Sequence, residues 1–355
     1  MVDTVRAKPS AIDKSIQREL LAISDAARAR YPWLKHQNAI GFVIFTVSLA
    51  GVIGNAALYI AGIMPAWLVI VLTALWTSLL HELEHDLIHW MYFRRNRFIH
   101  HLMMLGVYLA RPMTINPWVR RYLHYHHHKV SGTATDLEER GITNGERWGL
   151  RRLLMVGDHM LAVYLRLATY LREPQRLLKQ GVIDQQDLKN LRLISVASYT
   201  PLGNISYLLW HGFVLFHLLN GVAWLMGSSI AWPSWLLAQV PWVTTVVVVL
   251  LAPNVLRTFC LHFISSNMHY YGDNEPGNIS QQCQVLNVWW LWPLQLFCFN
   301  FGSTHAIHHF VVRDPFYLRQ MTAREALPVL RRYGIRFNDT GTFRRANRYH
   351  EPAQA

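Results

Sequence analysis

The sequence predicts an all-α integral membrane protein with four transmembrane helices paired as two hairpins. Three observations lead to it. Just over half of the 355 residues are hydrophobic (52%) and the mean hydropathy is positive, which leaves few charges for a water-facing surface. Two stretches, 37–80 and 193–256, contain no Asp, Glu, Lys or Arg. Each is long enough for two helices of the roughly 20 residues that cross a bilayer, and each has a break near its middle: Pro65 in the first, Gly227, Ser228, Ser229 and Pro233 in the second.

Lys and Arg set the expected orientation. Seven precede residue 37, 17 lie between Arg94 and Arg192, nine follow from Arg313 onward, and neither hairpin tip carries one. By the positive-inside bias both hairpins enter from the cytoplasm and return to it, so both termini are expected there, with the bacterial inner membrane as the location. The same bias, with contact to anionic headgroups, accounts for the net charge of +13 without nucleic acid.

The expected division follows from these spans. Residues 1–37 form a cytoplasmic lead-in with Ile16, Leu20, Leu21 and Ile23 on a helical period. It lacks a short apolar core with a cleavage site, so the first apolar run is read as a retained span. Residues 38–320 form the four-helix unit, whose cytoplasmic parts are 91–192 and 266–320, and 321–355 form a basic cytoplasmic tail. Interfacial helices are expected in 149–172. Segment 285–301, rich in Trp and Phe but broken by Pro293, reads as interfacial or re-entrant rather than as a fifth span. Cys260, Cys283 and Cys298 lack a CxxC spacing and read as buried hydrophobes.

The chemistry lies in the histidines, 19 in all. His81, His85 and His89 recur every four residues at the end of the second expected span, so a helix stacks them on one face. His124, His127 and His128 form H-x-x-H-H, and His305, His308 and His309 repeat it. Positions i, i+3 and i+4 share a helix side, so three imidazoles can face a common centre. Neutral imidazole suits iron, and so many of them exceed the coordination number of one first-row ion, which argues for two. Glu82, Glu84, Asp86, Asp136, Glu138, Asp273 and Asp314 are nearby acids able to accept a second imidazole proton. His211, His217 and His262 read as core histidines of the spans.

The order of motifs resembles a family. His81-x-x-x-His85 is followed by Trp118-x-x-Arg121-x-x-His124-x-x-His127-His128, Ser131-Gly132-Thr133 and Asp136, and then by Asn300, His305-x-x-His308-His309 and Pro315-Phe316-Tyr317. This resembles the membrane fatty-acid desaturase and hydroxylase superfamily over residues 65–320. The resemblance implies a mushroom shape, with a four-helix stem and a histidine-rich cytoplasmic cap holding two iron ions. It also implies dioxygen as co-substrate, a lipid or fatty-acid substrate, and electrons from a separate protein of ferredoxin or cytochrome type. Carried over residue by residue, it implies His81, His85, His124, His127, His128, His305, His308 and His309 as ligands. The ninth is His269, because His269-Tyr270-Tyr271-Gly272 resembles the His-Tyr-Gly context of related alkane hydroxylases with one residue inserted; His262 is the alternative. His89 departs from the usual first box and is expected as an extra ligand or as a support to one, a role shared with Asp136 and Asp273.

The resemblance covers desaturation, hydroxylation and oxidative decarboxylation to a terminal alkene. The length and the HELEHDLIH first box point to an acyl desaturase or to the membrane-bound alkene-forming decarboxylase, with alkane or fatty-acid hydroxylation as the alternative. Arg257, the one Arg or Lys in or near a span, precedes His269 by twelve residues on the same helical side. It is expected to meet a substrate carboxylate or a neighbouring Asp, or else to snorkel to the interface. Two other classes compete. His81-Glu82-Leu83-Glu84-His85 also fits the H-E-x-x-H zinc peptidase motif, which leaves the later boxes unexplained. A metal transporter needs ligands near the bilayer midplane, whereas these boxes sit at span ends.

Overall fold

In a computed structural model, which describes residues 10–133, 136–179, 181 and 184–350, each charge-free stretch folds into a pair of helices. Residues 1–9 of the lead-in and 351–355 of the tail lie outside the described residues. A helix satisfies every backbone polar group within its own segment, which an apolar surrounding requires. Among the described residues, four helices are long and apolar enough to cross a membrane.

The lead-in forms α1 (Ala11–Arg30), started by a capping box between Ser10 and Asp13. Ile16 and Leu20 are buried but Leu21 is exposed, so its apolar stripe is narrower than the periodicity suggested. The first hairpin is α2 (Gln37–Ile60) and α3 (Ala66–Ile88). Its turn uses Gly62 at φ +72°, a left-handed conformation that glycine adopts without a Cβ clash. α3 runs on past Leu80 and so carries the whole acidic and histidine-rich HELEHD segment. Helix α4 (Arg97–Ala110) then lies against α2 and α3, and α5 (Pro117–Val130) and α6 (Leu137–Ile142) follow.

The basic region continues as α7 (Leu150–Gly157), α8 (His159–Leu165), α9 (Leu167–Lys179) and α10 (Gln185–Ala197). Asp158 breaks the expected run by capping α8 through the Met160 and Leu161 amides. The second hairpin is α11 (Leu202–Leu225) and α12 (Ser234–Met268). α12 does not stop near Leu256. It continues through Arg257 because that side chain is enclosed by protein rather than facing lipid. Within α12 a π-helical turn, Val247–Leu251, precedes Pro253, whose missing N–H a wider turn accommodates.

Segment 285–301 contains only short turns, Trp289–Leu291 and Trp292–Leu296, with Trp289 and Trp292 exposed, and is not a span. Helix α13 (Phe301–Phe310) carries the third box, and α14 (Phe316–Arg332) packs on it and on α1. That contact is a core of Ile16, Leu20, Ile307, Phe310, Val329 and Leu330, so the expected boundary at residue 320 falls inside a packed helix. Among the described residues there are isolated bridges but no strand.

Candidate metal centre

The ends of α3, α5, α12 and α13 bring the histidines together. Gly302 lets α13 start close to the preceding segment, since a Cβ there would lie 2.6 Å from the Leu286 carbonyl oxygen. Ligand nitrogens of His85, His89, His124 and His308 lie within 4.8 Å of one another, and those of His127, His269 and His309 do the same. His128 adjoins the first group, its Nε2 3.1 Å from the Nε2 of both His124 and His308. His305 adjoins the second, its Nε2 3.3 Å from His309 Nε2. His81 joins neither group. Its ring contacts Phe301, at 6.2 Å between centroids, and its Nδ1 faces Arg111 and Arg120.

Four rings are held by acceptors at Nδ1. His124 donates to Glu138 Oε2 at 2.8 Å, His127 to Asp136 Oδ2 at 2.8 Å, His269 to the Ser265 carbonyl at 2.9 Å and His309 to Gln282 Oε1 at 2.7 Å. An acceptor at Nδ1 leaves the lone pair at Nε2. The Nε2 lone pairs of His124 and His309 then face Nε2 of His128 and His305 at 3.1 and 3.3 Å, nitrogen spacings that a shared cation would satisfy. The donor set therefore fits metal binding, with nitrogen ligands of the type iron accepts.

The charges around the second group are unequal. Burial alone would lower the pKa of His127, but Asp136, by charge and hydrogen bond, and then Glu139 and Glu138 raise it to about 10. Burial and the adjacent His127 lower His269 to about 4.

A second set of contacts fixes the helices that carry the ligands. Glu84 accepts from Arg111 at 2.7 Å and from Arg120 at 2.8 Å, and Arg120 reaches Glu138 at 3.6 Å. Asp86 accepts from the Tyr92 hydroxyl, the Phe316 amide and Arg319. Of the expected supports, Asp136 braces His127, but Asp273 does not reach the site. It accepts from the backbone amides of Tyr349 and His350 and so ties down the tail, because its loop turns away after Gly272. Asp314 likewise binds Ser24 and Arg28 of α1. His262 lies outside both groups, with its ring 4.6 Å from that of His159. Arg111, Arg120, Ser265, Gln282 and Glu139 carry no motif, and the sequence reading missed them.

A cavity opens beside the two groups, lined by His81, His85, His124, His127, His269 and His305 together with Arg111 and Arg257. Arg257 is 1% exposed and does not snorkel. Its Nη2 donates to Thr258 Oγ1 at 2.7 Å, while Nε and Nη1 have no hydrogen-bond partner among the described residues. The zinc peptidase alternative loses its basis here: His81 shares no group with His85, and Glu82 turns toward Arg319 at 3.8 Å.

A helical membrane protein with two adjoining histidine groups at the ends of its spans is the class that fold and site define. The sequence model of the fatty acid desaturase family matches residues 61–341, and the chain belongs to that family. A search of curated proteins found no match. Family and histidine groups together fit a diiron fatty-acid oxidoreductase.

Proposed function

We propose that the protein oxidises a free fatty acid next to its carboxyl group, removing the carboxyl carbon as carbon dioxide and leaving a terminal alkene. The observation that supports this is Arg257, buried in the cavity beside the histidine groups with two guanidinium nitrogens unpaired. A buried, uncompensated guanidinium is costly, and a carboxylate is the ligand that matches it. An acid held there presents its first methylenes to the metal centre. A thioester or lipid headgroup would sit many carbons from a double bond formed in mid-chain.

The stoichiometry closes: R–CH2–CH2–COOH, O2, two electrons and two protons give R–CH=CH2, CO2 and two waters. Two bound irons supply the capacity to use dioxygen against an unactivated C–H bond. The chain's own residues hold and shield the substrate. Arg257 orients the carboxylate, and the apolar cavity wall, including Leu123, Leu261 and Phe301, excludes water. Electrons come from a separate ferredoxin- or cytochrome-type protein. The histidine-bearing ends, segments 91–192 and 266–320 of the 38–320 unit, and both termini are assigned to the cytoplasmic side of a bacterial inner membrane, on the distribution of Lys and Arg.

Mass spectrometry of products from cells expressing the chain with a free fatty acid tests the proposal. A terminal alkene one carbon shorter is expected; an internal double bond or an added oxygen overturns it. Arg257→Ala should lower kcat/KM on the free acid by about 100-fold, as loss of one partner of a buried charge pair does. Unchanged turnover would remove Arg257 from the mechanism.

A further inference from the structure

We infer that the first histidine box supplies its two metal ligands from His85 and His89, one helical turn further along α3 than the family pattern places them, and that His81 is a hydrogen-bond donor on the cavity wall. The inference rests on the diiron reading of the site but not on which reaction follows.

The proton on His81 sits on the wrong nitrogen for ligation. Arginine has only donors, so Arg111 Nη2 at 3.1 Å and Arg120 Nη1 at 3.5 Å require His81 Nδ1 to accept. The neutral ring then carries its hydrogen on Nε2, the nitrogen that would have to bind metal. Ligation through Nε2 would demand a ring stripped of both protons. Neither guanidinium is free to swing aside, because Glu84 holds Arg111 at 2.7 Å and Arg120 at 2.8 Å. His124, His127, His269 and His309 show the opposite pattern, donating from Nδ1 and keeping Nε2 open.

His89 is the better placed of the two rings. His89 ends α3, and its ring lies 4.8–5.1 Å from those of His85, His124, His128 and His308. Its ligand nitrogen lies within 4.8 Å of those of His85, His124 and His308, which that of His81 does not. His85, His89, His124, His128 and His308 then surround one metal, and His127, His269, His305 and His309 the other. His81 Nε2, without a partner among the described residues, is left to point its hydrogen into the cavity that Arg257 lines.

Iron content of the purified protein tests this with His81→Gln and His89→Gln. Glutamine at 81 keeps an acceptor for Arg111 and a donor for the cavity, so His81→Gln should retain the wild-type iron content and Mössbauer spectrum. His89→Gln should lose about half of the iron or more. Iron loss from His81→Gln, or full retention by His89→Gln, overturns the inference. Where His89→Gln does not purify intact, His89→Cys decides by X-ray absorption: iron–sulfur scattering supports ligation at 89, and its absence refutes it. A wild-type protein without iron overturns the diiron reading itself, whereas iron loss confined to His81→Gln overturns only this inference.

Discussion

Helices α3 and α11 are near equals in length and both are apolar enough to cross a membrane, yet half of the membrane-crossing window of α3 is buried (50%) and none of that of α11 is (0%). The difference follows from the polar groups each helix carries. In a bilayer no hydrophobic force draws helices together, so small residues and interhelical hydrogen bonds decide which faces pack. α3 presents Thr73, which accepts from Asn55 of α2 at 3.2 Å, then Thr77 and Ser78, and then the buried HELEHD segment. α11 is tied to the histidine-bearing side near one end, where the Tyr207 hydroxyl reaches the Met113 carbonyl and His211 reaches Asp158, and near its other end Asn220 accepts from Trp232 of its own hairpin turn. Between them its leucines face outward. A span packs where it holds chemistry and faces lipid where it does not.

The sharpest way to break this comparison is at Asp86. Its carboxylate takes hydrogen bonds from Tyr92, the Phe316 amide and Arg319, tying α3 to α14. Asp86→Asn leaves Arg319, 1% exposed, facing only Glu82 at 3.8 Å. Removing one partner of a buried ion pair costs about 3–5 kcal/mol. Unfolding of the purified protein in detergent measures it. A loss no larger than that from an outward leucine of α11 would show that polar contacts do not hold α3 in place.

Packing without charge gives the next effect. Gly51 of α2 lies against Trp76 of α3, and a Cβ at 51 would come within 2.4 Å of the indole. Gly51→Ala should cost about 1–3 kcal/mol, the usual range for overpacking. A neutral result by the same measurement would mean that the first hairpin is held loosely and that its burial owes little to close helix contact.

The sequence shows some of these distinctions and hides others, and the reason is range. Charge-free stretches reveal spans because exclusion of charge is a property of the stretch itself, and helical spacing reveals which histidines share a face. The end of α12 was hidden, since Arg257 looks like a charge leaving the bilayer until tertiary contacts enclose it. The roles of the acids were hidden for the same reason. Asp273 and Asp314 follow the histidine segments closely in sequence, but their partners are the amides of Tyr349 and His350 and the side chains of Ser24 and Arg28. The register of the first box is the finest case. His81, His85 and His89 are equivalent by periodicity, and the arginines that distinguish His81 come from positions 111 and 120, beyond the reach of any local pattern.

The smallest expected effect lies on the other side of the comparison. Leu208 and Leu218 of α11 are 75% and 60% exposed and contribute to no buried cluster among the described residues. Truncating a side chain that faces lipid in the folded protein exchanges one apolar surrounding for another, so the double variant Leu208→Ala with Leu218→Ala should change stability by less than about 0.5 kcal/mol. The control is Tyr207→Phe on the same helix, which removes the bond to the Met113 carbonyl and should cost about 1 kcal/mol. If the leucine pair proves the costlier change, α11 meets a protein partner along that face, and its lack of burial in a single chain reflects a missing neighbour rather than contact with lipid.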